Sequence, residues 1–330
     1  MNIKDYLPNT CSTISYVGEE QWLEERRKGI GGSDVAVVMG LNKYKSELRL
    51  YKEKVEHFKE DTSDNVYIKK GKDLEDLIRL KYVTPHLLEK GYTLIHPDVM
   101  LVNSKNPIFR ANLDGFAVPM EFDGNCSKNI VVEIKWVSEF GQSNWDGDEY
   151  FGVPVNYYAQ VQEYMYVTEA KSAIICALFD SDWSMHYYEI PYDSDFIAKM
   201  VLEAERFMNV HVKYRIAPKP DASKDKSEIL RALKESEKTP TWTDEAVENR
   251  LVEYKELKQQ AKEIEGKMDS AYNEIVNKYI EGWRPSSPLN KITMSVVNKT
   301  NFDTTRFAKD NPTLYNQYIT QTQYTRTVIK

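Results

Sequence analysis

An α/β (α+β) fold, with a central mixed β-sheet flanked by helices and a long helix towards the C-terminus, is predicted by three observations. Apolar residues recur at helical spacing through residues 20–58 and 69–83. The period then drops to two between residues 93 and 137, and helical and strand patterns alternate as far as residue 212. Beyond residue 240 a single apolar stripe runs for some forty residues.

The elements follow in order. "EEQWLEERRKG" is helical, with Trp22 and Leu23 as its apolar contacts, and "GIGGSD" breaks it. Ser33 or Asp34 can cap the next helix, "DVAVVMGL". "KSELRLYKEKVEHF" is a third helix, carrying Leu48, Tyr51 and Val55. "KKGKDLEDLIRLKYV" is a fourth, with Leu74, Leu77, Ile78 and Tyr82 in one stripe. "TLIHPDVMLV", "PIFRANLDGFAV" and "NIVVEIKWV" read as three successive strands, the last two joined across the turn-rich "PMEFDGNCSK". "VNYYAQVQEYMYVT" returns to helix, "SAIICALFD" and "WSMHYYEIPY" form a strand pair, and "FIAKMVLEAERFMNVHV" is an amphipathic helix.

Residues 1–220 are therefore expected to form one domain and 221–242 a linker, since "IAPKPDASKDK" is rich in proline, small and charged residues. Residues 243–330 form an extension: a long, coiled-coil-like helix, stepping by threes and fours from Val247 to Ile275, then a small β-α-β tail. Two readings of the extension stand side by side, assembly or partner docking and a stabilising appendage of the core.

Composition narrows the class. The net charge of −7, from 44 basic and 51 acidic residues, argues against a protein that coats nucleic acid nonspecifically, but not against an enzyme with a local basic groove. No apolar run approaches the roughly 20 residues of a membrane span, and the N-terminus lacks a signal pattern, so the expected location is the cytoplasm. The 3 cysteines and 5 histidines are scattered, which speaks against a zinc or iron–sulfur centre.

The chemistry concentrates on two strands. Residues two apart share a strand face, so Glu133 and Lys135 point one way with Val131 and Val137, while Ile130, Val132, Ile134 and Trp136 point the other. Asp114 ends the preceding strand. If the two strands pair, Asp114, Glu133 and Lys135 converge, and charges inside a sheet must be paired or hold a metal. Two carboxylates and a lysine suit Mg²⁺-assisted phosphodiester hydrolysis. A salt bridge on a solvent-facing strand is the plainer reading of the same residues.

Asp114, Glu133 and Lys135 resemble the core of the PD-(D/E)xK nucleases, with Leu113 at the variable proline position. "WLEERRKGIGGSDVAVVMGLNKYKSELRLYKEK", "GKDLEDLI" and "YYAQVQEYMYVT" resemble the YqaJ-like viral recombinases, relatives of lambda exonuclease, over about residues 15–215. The resemblance implies a restriction-endonuclease-like core and a Mg²⁺-dependent 5′-to-3′ exonuclease on linear double-stranded DNA ends. It implies two Mg²⁺ ions per site, with Mn²⁺ able to substitute. The ions are held by Glu75, Asp114, Glu133 and the backbone carbonyl of Ile134. Lys135 and a glutamine position the water: Gln160 matches the family position, and Gln162 is the nearby competitor. Tyr164 completes the Q-x-x-x-Y pattern; Tyr157 and Tyr164 otherwise read as packing residues. Arg26 and Ser33 match the pair that receives a 5′-phosphate. Lys43, Tyr44, Lys69 and Lys70 are further candidates for DNA contact. Glu75 alone reads as an ion pair with Arg79. The implied partners are a single-strand annealing protein and further copies of the chain in a ring, trimer or tetramer, inside a bacterium carrying the phage or prophage. An endonuclease and a non-catalytic DNA-end scaffold are the alternatives.

Overall fold

The computed structural model describes residues 2–59, 65–221, 223–225, 244–285, 292 and 302–319. The chain divides into two compact units, Met1–Ile229 and Leu230–Lys330.

The first unit begins with strand β1 (Cys11–Ile14), then helices α1 (Gly18–Arg27), α2 (Gly32–Val38), α3 (Glu47–Val55) and α4 (Val66–Ile78). A π-helical turn at Arg79–Val83 carries α4 on into α5 (Thr84–Glu89). Strands β2 (Tyr92–Ile95), β3 (Met100–Asn103), β4 (Arg110–Ala111), β5 (Gly115–Pro119) and β6 (Ile130–Val137) follow. Helix α6 (Val155–Thr168), strands β7 (Ser172–Phe179) and β8 (Met185–Pro191) and helix α7 (Ser194–Arg206) complete it.

The mixed sheet runs in the order β2-β5-β6-β7-β8, antiparallel except for the central β6–β7 pair, which α6 connects. A parallel pair needs such a crossover. Helices lie on both faces. Val131 and Val137 of β6 join a core with α2, α6 and α7, while Val132 and Ile134 join a second core with Ile78, Val83 and Leu87 of the α4–α5 arm.

Four readings of the sequence need correction. "TLIHPDVMLV" is two strands, not one: β2 belongs to the large sheet, and β3 pairs with β1 and β4 in a separate three-stranded sheet. "PIFRANLDGFAV" divides in the same way, between β4 and β5. His96–Pro97 and Asn112–Leu113 are the crossing points, and alternation of side chains does not reveal a change of sheet. Ser33 does not cap α2. Gly31 is the cap, and Asp34 reaches back from the first turn to accept the Gly31 N–H at 3.2 Å. Leu77 leaves the α4 stripe and is 43% exposed, whereas Ile78 is buried.

The glycine turn before α2 is explained by close approach. Ile30 bridges to Phe109, with Ile30 N–H bonded to the Ile108 carbonyl and Arg110 N–H to the Ile30 carbonyl. A Cβ on Gly29 would lie 2.2 Å from the Ile108 carbonyl oxygen, and one on Gly32 would lie 2.7 Å from side-chain atoms of Gln160 and Tyr164.

In the second unit, helix α8 (Glu245–Ile280) is capped by Asp244, whose side chain accepts from the N–H groups of Ala246 and Val247. Two short helices follow, α9 (Thr304–Asp310) and α10 (Pro312–Tyr318), where the sequence suggested one. The expected flanking strands of the tail, and most of the expected linker, lie outside the described residues. Among the described residues no helix is long and apolar enough to cross a membrane.

Gly29→Ala is expected to destabilise the first unit by about 3 kcal/mol, because the methyl group meets backbone rather than a yielding side chain. Denaturant unfolding of the two proteins checks this, and an unchanged midpoint would remove the account of the turn.

Candidate functional site

Strand β6 positions the centre of the site. Both its faces are covered, so Glu133 is fully buried, and the solvent-facing strand of the plainer reading is absent. Its Oε1 accepts from Lys135 Nζ and, at 2.7 Å, from Gln160 Nε2 on α6. Its Oε2 is buried without a hydrogen-bond partner. Burial above all, then the Asp114 carboxylate, raises the Glu133 carboxyl to about 8. Burial opposes the charge on Lys135, but Glu133 and Asp114 outweigh it and hold the ammonium above its ordinary value. Lys135 Nζ also lies 5.1 Å from the Tyr157 ring centre.

Asp114 reaches the same place from the β4–β5 crossing. The pairing of β5 with β6 ends at Gly115 opposite Val132, and beyond it the Ile134 N–H is taken by Asp114 Oδ2 at 2.9 Å. The Asp114 carbonyl is gripped by Arg79 Nε at 3.2 Å and lies 3.1 Å from His96 Nδ1. Buried Arg79 also pairs with Glu75 Oε1 at 2.5 Å and with Asp76. The ion pair expected from the plainer reading of Glu75 is therefore present, and Glu75 still lines a cleft with Asp114. Burial, and next the Asp114 charge, raises the Glu75 carboxyl. His96, and the bond of Arg79 to the Asp114 carbonyl, escape sequence reading because a contact with a backbone carbonyl leaves no motif.

Gln160 and Gln162 separate cleanly. Gln160 Nε2 donates to Glu133 and, at 2.8 Å, to the Tyr164 hydroxyl. Gln162 faces away: it donates to the Pro191 carbonyl and accepts from the Asp193 N–H. Tyr164 is thus a polar partner as well as a packing residue.

Arg26 and Ser33 meet across the glycine turn, the guanidinium donating to the Ser33 hydroxyl. Arg26 also lies over the Trp22 ring at 5.1 Å. Beneath them is a group the sequence did not single out. Buried Asp34 takes Lys54 Nζ at 2.7 Å and Arg26 Nη2 at 3.4 Å, with Lys45 Nζ 3.9 Å away. Burial opposes the Asp34 charge, but Lys54, Arg26 and Lys45 outweigh it and hold the carboxyl well below its usual range. Lys54 Nζ also donates to the Arg26 carbonyl at 2.9 Å. Lys45 is itself paired with Glu53 Oε2 at 2.5 Å and Lys54 with Asp34, so in this cup it is Arg26, beside the Ser33 hydroxyl, that is placed to meet an anion. This cup touches the Glu133 group through α6, since Gly32 packs on Gln160 and Tyr164.

A cleft of about 970 Å³ opens beside these residues, lined by Glu75, Asp114 and Lys135 and rimmed by Lys43, Tyr44 and Lys72. Tyr44 is 85% exposed. Lys69 is exposed outside the cleft lining, and Lys70 is engaged by both Asp180 oxygens at 2.9 Å and lies 4.4 Å from the Trp136 ring centre.

Among the described residues no three His, Cys, Asp or Glu side chains are grouped so that they could hold a metal ion by themselves. The donor set nevertheless fits a hard dication: it is all oxygen, the Asp114 charge raises the proton affinity of both Glu75 and Glu133, and Glu133 Oε2 is buried and unpartnered.

A raised carboxyl has a stability consequence. Folding takes a proton up onto Glu133 between the ordinary range and about 8. Its contribution to stability is therefore complete at low pH and lost as pH rises through about 8. In EDTA, Glu133→Gln is expected to leave stability at pH 5 nearly unchanged. At pH 8.5 it should raise stability by on the order of 1–3 kcal/mol. Thermal unfolding at the two pH values decides, and an equal effect at both would contradict the burial argument.

Comparison with known proteins places this geometry. YqaJ of Bacillus subtilis strain 168, an uncharacterized protein, is 28% identical over 336 residues, covering 96% of this chain and 95% of that protein. Among solved structures, the alkaline exonuclease LHK-Exo of Laribacter hongkongensis is 19% identical, with a TM-score of 0.45 over 59% of this chain and 95% of its own. Its complex with dAMP gives 20% identity and a TM-score of 0.46 over the same shares. A phage related exonuclease of Haemophilus somnus 129PT is 14% identical, with a TM-score of 0.40 over 57% of this chain and 96% of its own. Residues 21–171, which supply every side chain of the Glu133 group and of the Arg26 cup, match the YqaJ-like viral recombinase domain.

Proposed function

We propose that the chain is a Mg²⁺-dependent 5′-to-3′ exonuclease that degrades one strand of linear double-stranded DNA and leaves a 3′ single strand for recombination by annealing. The observation that carries this reading is the buried Glu133 carboxylate. Asp114, Lys135 and Gln160 surround it, within a segment that matches a viral recombinase domain.

Asp114, Glu133, Glu75 and the Ile134 carbonyl would hold two Mg²⁺ ions, or Mn²⁺ in their place, which would supply Lewis-acid polarisation of the phosphate and a more acidic water. Lys135, held charged by its carboxylate neighbours, orients the attacking water and offsets charge on the phosphate. Gln160 fixes the Glu133 oxygen that faces Lys135 and so keeps that ammonium in place. Arg26 and Ser33 receive the 5′-phosphate, with Asp34 and Lys54 keeping the guanidinium in position. Their contact with Gln160 through Gly32 ties the end-binding cup to the cutting centre, which is why hydrolysis starts from a 5′ end. Lys43, Tyr44, Lys69 and Lys70 extend the DNA contact. A ring of three or four copies around the duplex gives processivity by topology and keeps the net charge of −7 on the outside. A single-strand annealing protein takes up the 3′ strand, in the cytoplasm of a bacterium that carries the phage or prophage.

Linear duplex labelled at the 5′ or the 3′ end tests the reading. Mg²⁺ should be required, the 5′-ended strand should be lost first, and a closed circle should be untouched. Lys135→Ala should lower the rate by about 100-fold or more. Arg26→Ala should retain slow hydrolysis but erase the preference for 5′-phosphorylated over 5′-hydroxyl ends. Cutting of the circle would make the protein an endonuclease, and binding without cutting would make it a scaffold.

A further inference from the structure

Helix α8 is 36 residues long and buries none of them. It therefore spans about 54 Å. An isolated helix gains its stability from an apolar face packed on something. Here the face is bare: Leu257 and Ile264 are each 56% exposed and Met268 is 65% exposed.

The spacing of that face carries more information than its apolarity. Tyr254, Leu257, Ala261, Ile264, Met268, Ala271 and Ile275 alternate steps of three and four without a break. A stripe meant for the core of a globular unit repeats every 3.6 residues and broadens with distance. A strict seven-residue repeat keeps one narrow seam, which is what a supercoiled partner helix of the same kind requires. Gly266, the residue with least helix propensity in the stretch, falls on the side opposite the seam.

The residues beside the seam identify the partner and its direction. Glu253, Gln260 and Lys267 flank it on one side, and Lys258, Glu265 and Tyr272 on the other. In a parallel pair of identical helices these positions meet across the interface. Glu253 then faces Lys258 of the second copy, Gln260 faces Glu265, and Lys267 faces the Tyr272 ring. The antiparallel arrangement that overlaps the whole seam instead brings Glu253 near Glu274 and sets Glu265 against its own copy. Charge thus favours the parallel pair.

We propose that α8 forms a parallel two-stranded coiled coil with α8 of a second copy of this chain, along the seam from Tyr254 to Ile275. The pairing is independent of the nuclease reading and joins two copies whatever assembly the first unit makes. It assigns to the extension a role in assembly rather than that of an appendage to the core.

Sedimentation equilibrium of the full chain tests the proposal, with far-UV circular dichroism as a check on folding. Leu257→Glu together with Ile264→Glu should lower the mass relative to wild type at the same concentration, by half where the first unit makes no assembly of its own. Equal masses would overturn the proposal. The exposed charges give a second test that leaves the apolar seam intact. Glu253→Lys alone and Lys258→Glu alone each place like charges across the interface and should weaken pairing about fivefold to tenfold, while the two together should restore it to within about twofold. These residues are five apart, so they are not neighbours on one helix, and restoration requires a second, parallel copy. A double variant as weak as the two single changes combined would overturn the parallel seam.

Discussion

The site depends on a carboxylate buried where charge is expensive. Strand β6 is covered on both faces, and Glu133 has no water to turn to. Its position is kept by Lys135, two residues along the strand, and by Gln160 from the crossover helix. The cost of that burial falls on stability and on proton affinity, and the unpartnered Oε2 is where it is concentrated. A dication bound by the same oxygens would relieve both.

The same constraint ties the remaining parts together. Gln160 fixes α6, and α6 accepts α2 closely because Gly32 has no side chain to hold it off. Helix α2 presents Asp34, and Asp34 gathers Arg26, Lys45 and Lys54 around it. Arg110 Nη1, paired with Glu25 at 3.0 Å, anchors α1 next to Arg26. Arg79 plays the matching role on the opposite face of the sheet, joining Glu75 on α4 to the carbonyl of Asp114. Removal of one partner alone is expected to be costly at the buried Asp34–Lys54 pair, about 3–5 kcal/mol, because the surviving charge is stranded.

Much of this was legible in the sequence, for reasons that are physical. Periodicity gave the helices α1–α4 and α6–α8, though not the short α5, and the strand patterns gave β6, β7 and β8. Charged residues placed among isoleucines and valines marked Glu133 and Lys135, since burial makes such residues costly without a purpose. Asp114 was found the same way, but not the change of sheet on either side of it. Strand periodicity is local, whereas sheet membership depends on partners far along the chain, which also explains why the short strand β1 was missed. Lys54 and His96 were not singled out, and Asp34 was read only as a cap and Arg79 only as the partner of Glu75, because the remaining contacts are ones that only the fold brings together. The choice between Gln160 and Gln162 was equally beyond the sequence: on a helix they lie about 200° apart, and only the placement of α6 decides which one faces Glu133.

The central claim is that the Glu133 group is a metal site of oxygen ligands, and direct metal binding tests it without DNA or turnover. Mn²⁺ titrated into the metal-free chain, followed by the electron paramagnetic resonance signal of the free ion, should show saturable uptake by the wild type. Asp114→Ala should lose most of that uptake while keeping its fold by circular dichroism. Equal uptake by the two proteins would contradict the account and leave the buried carboxylate without its explanation.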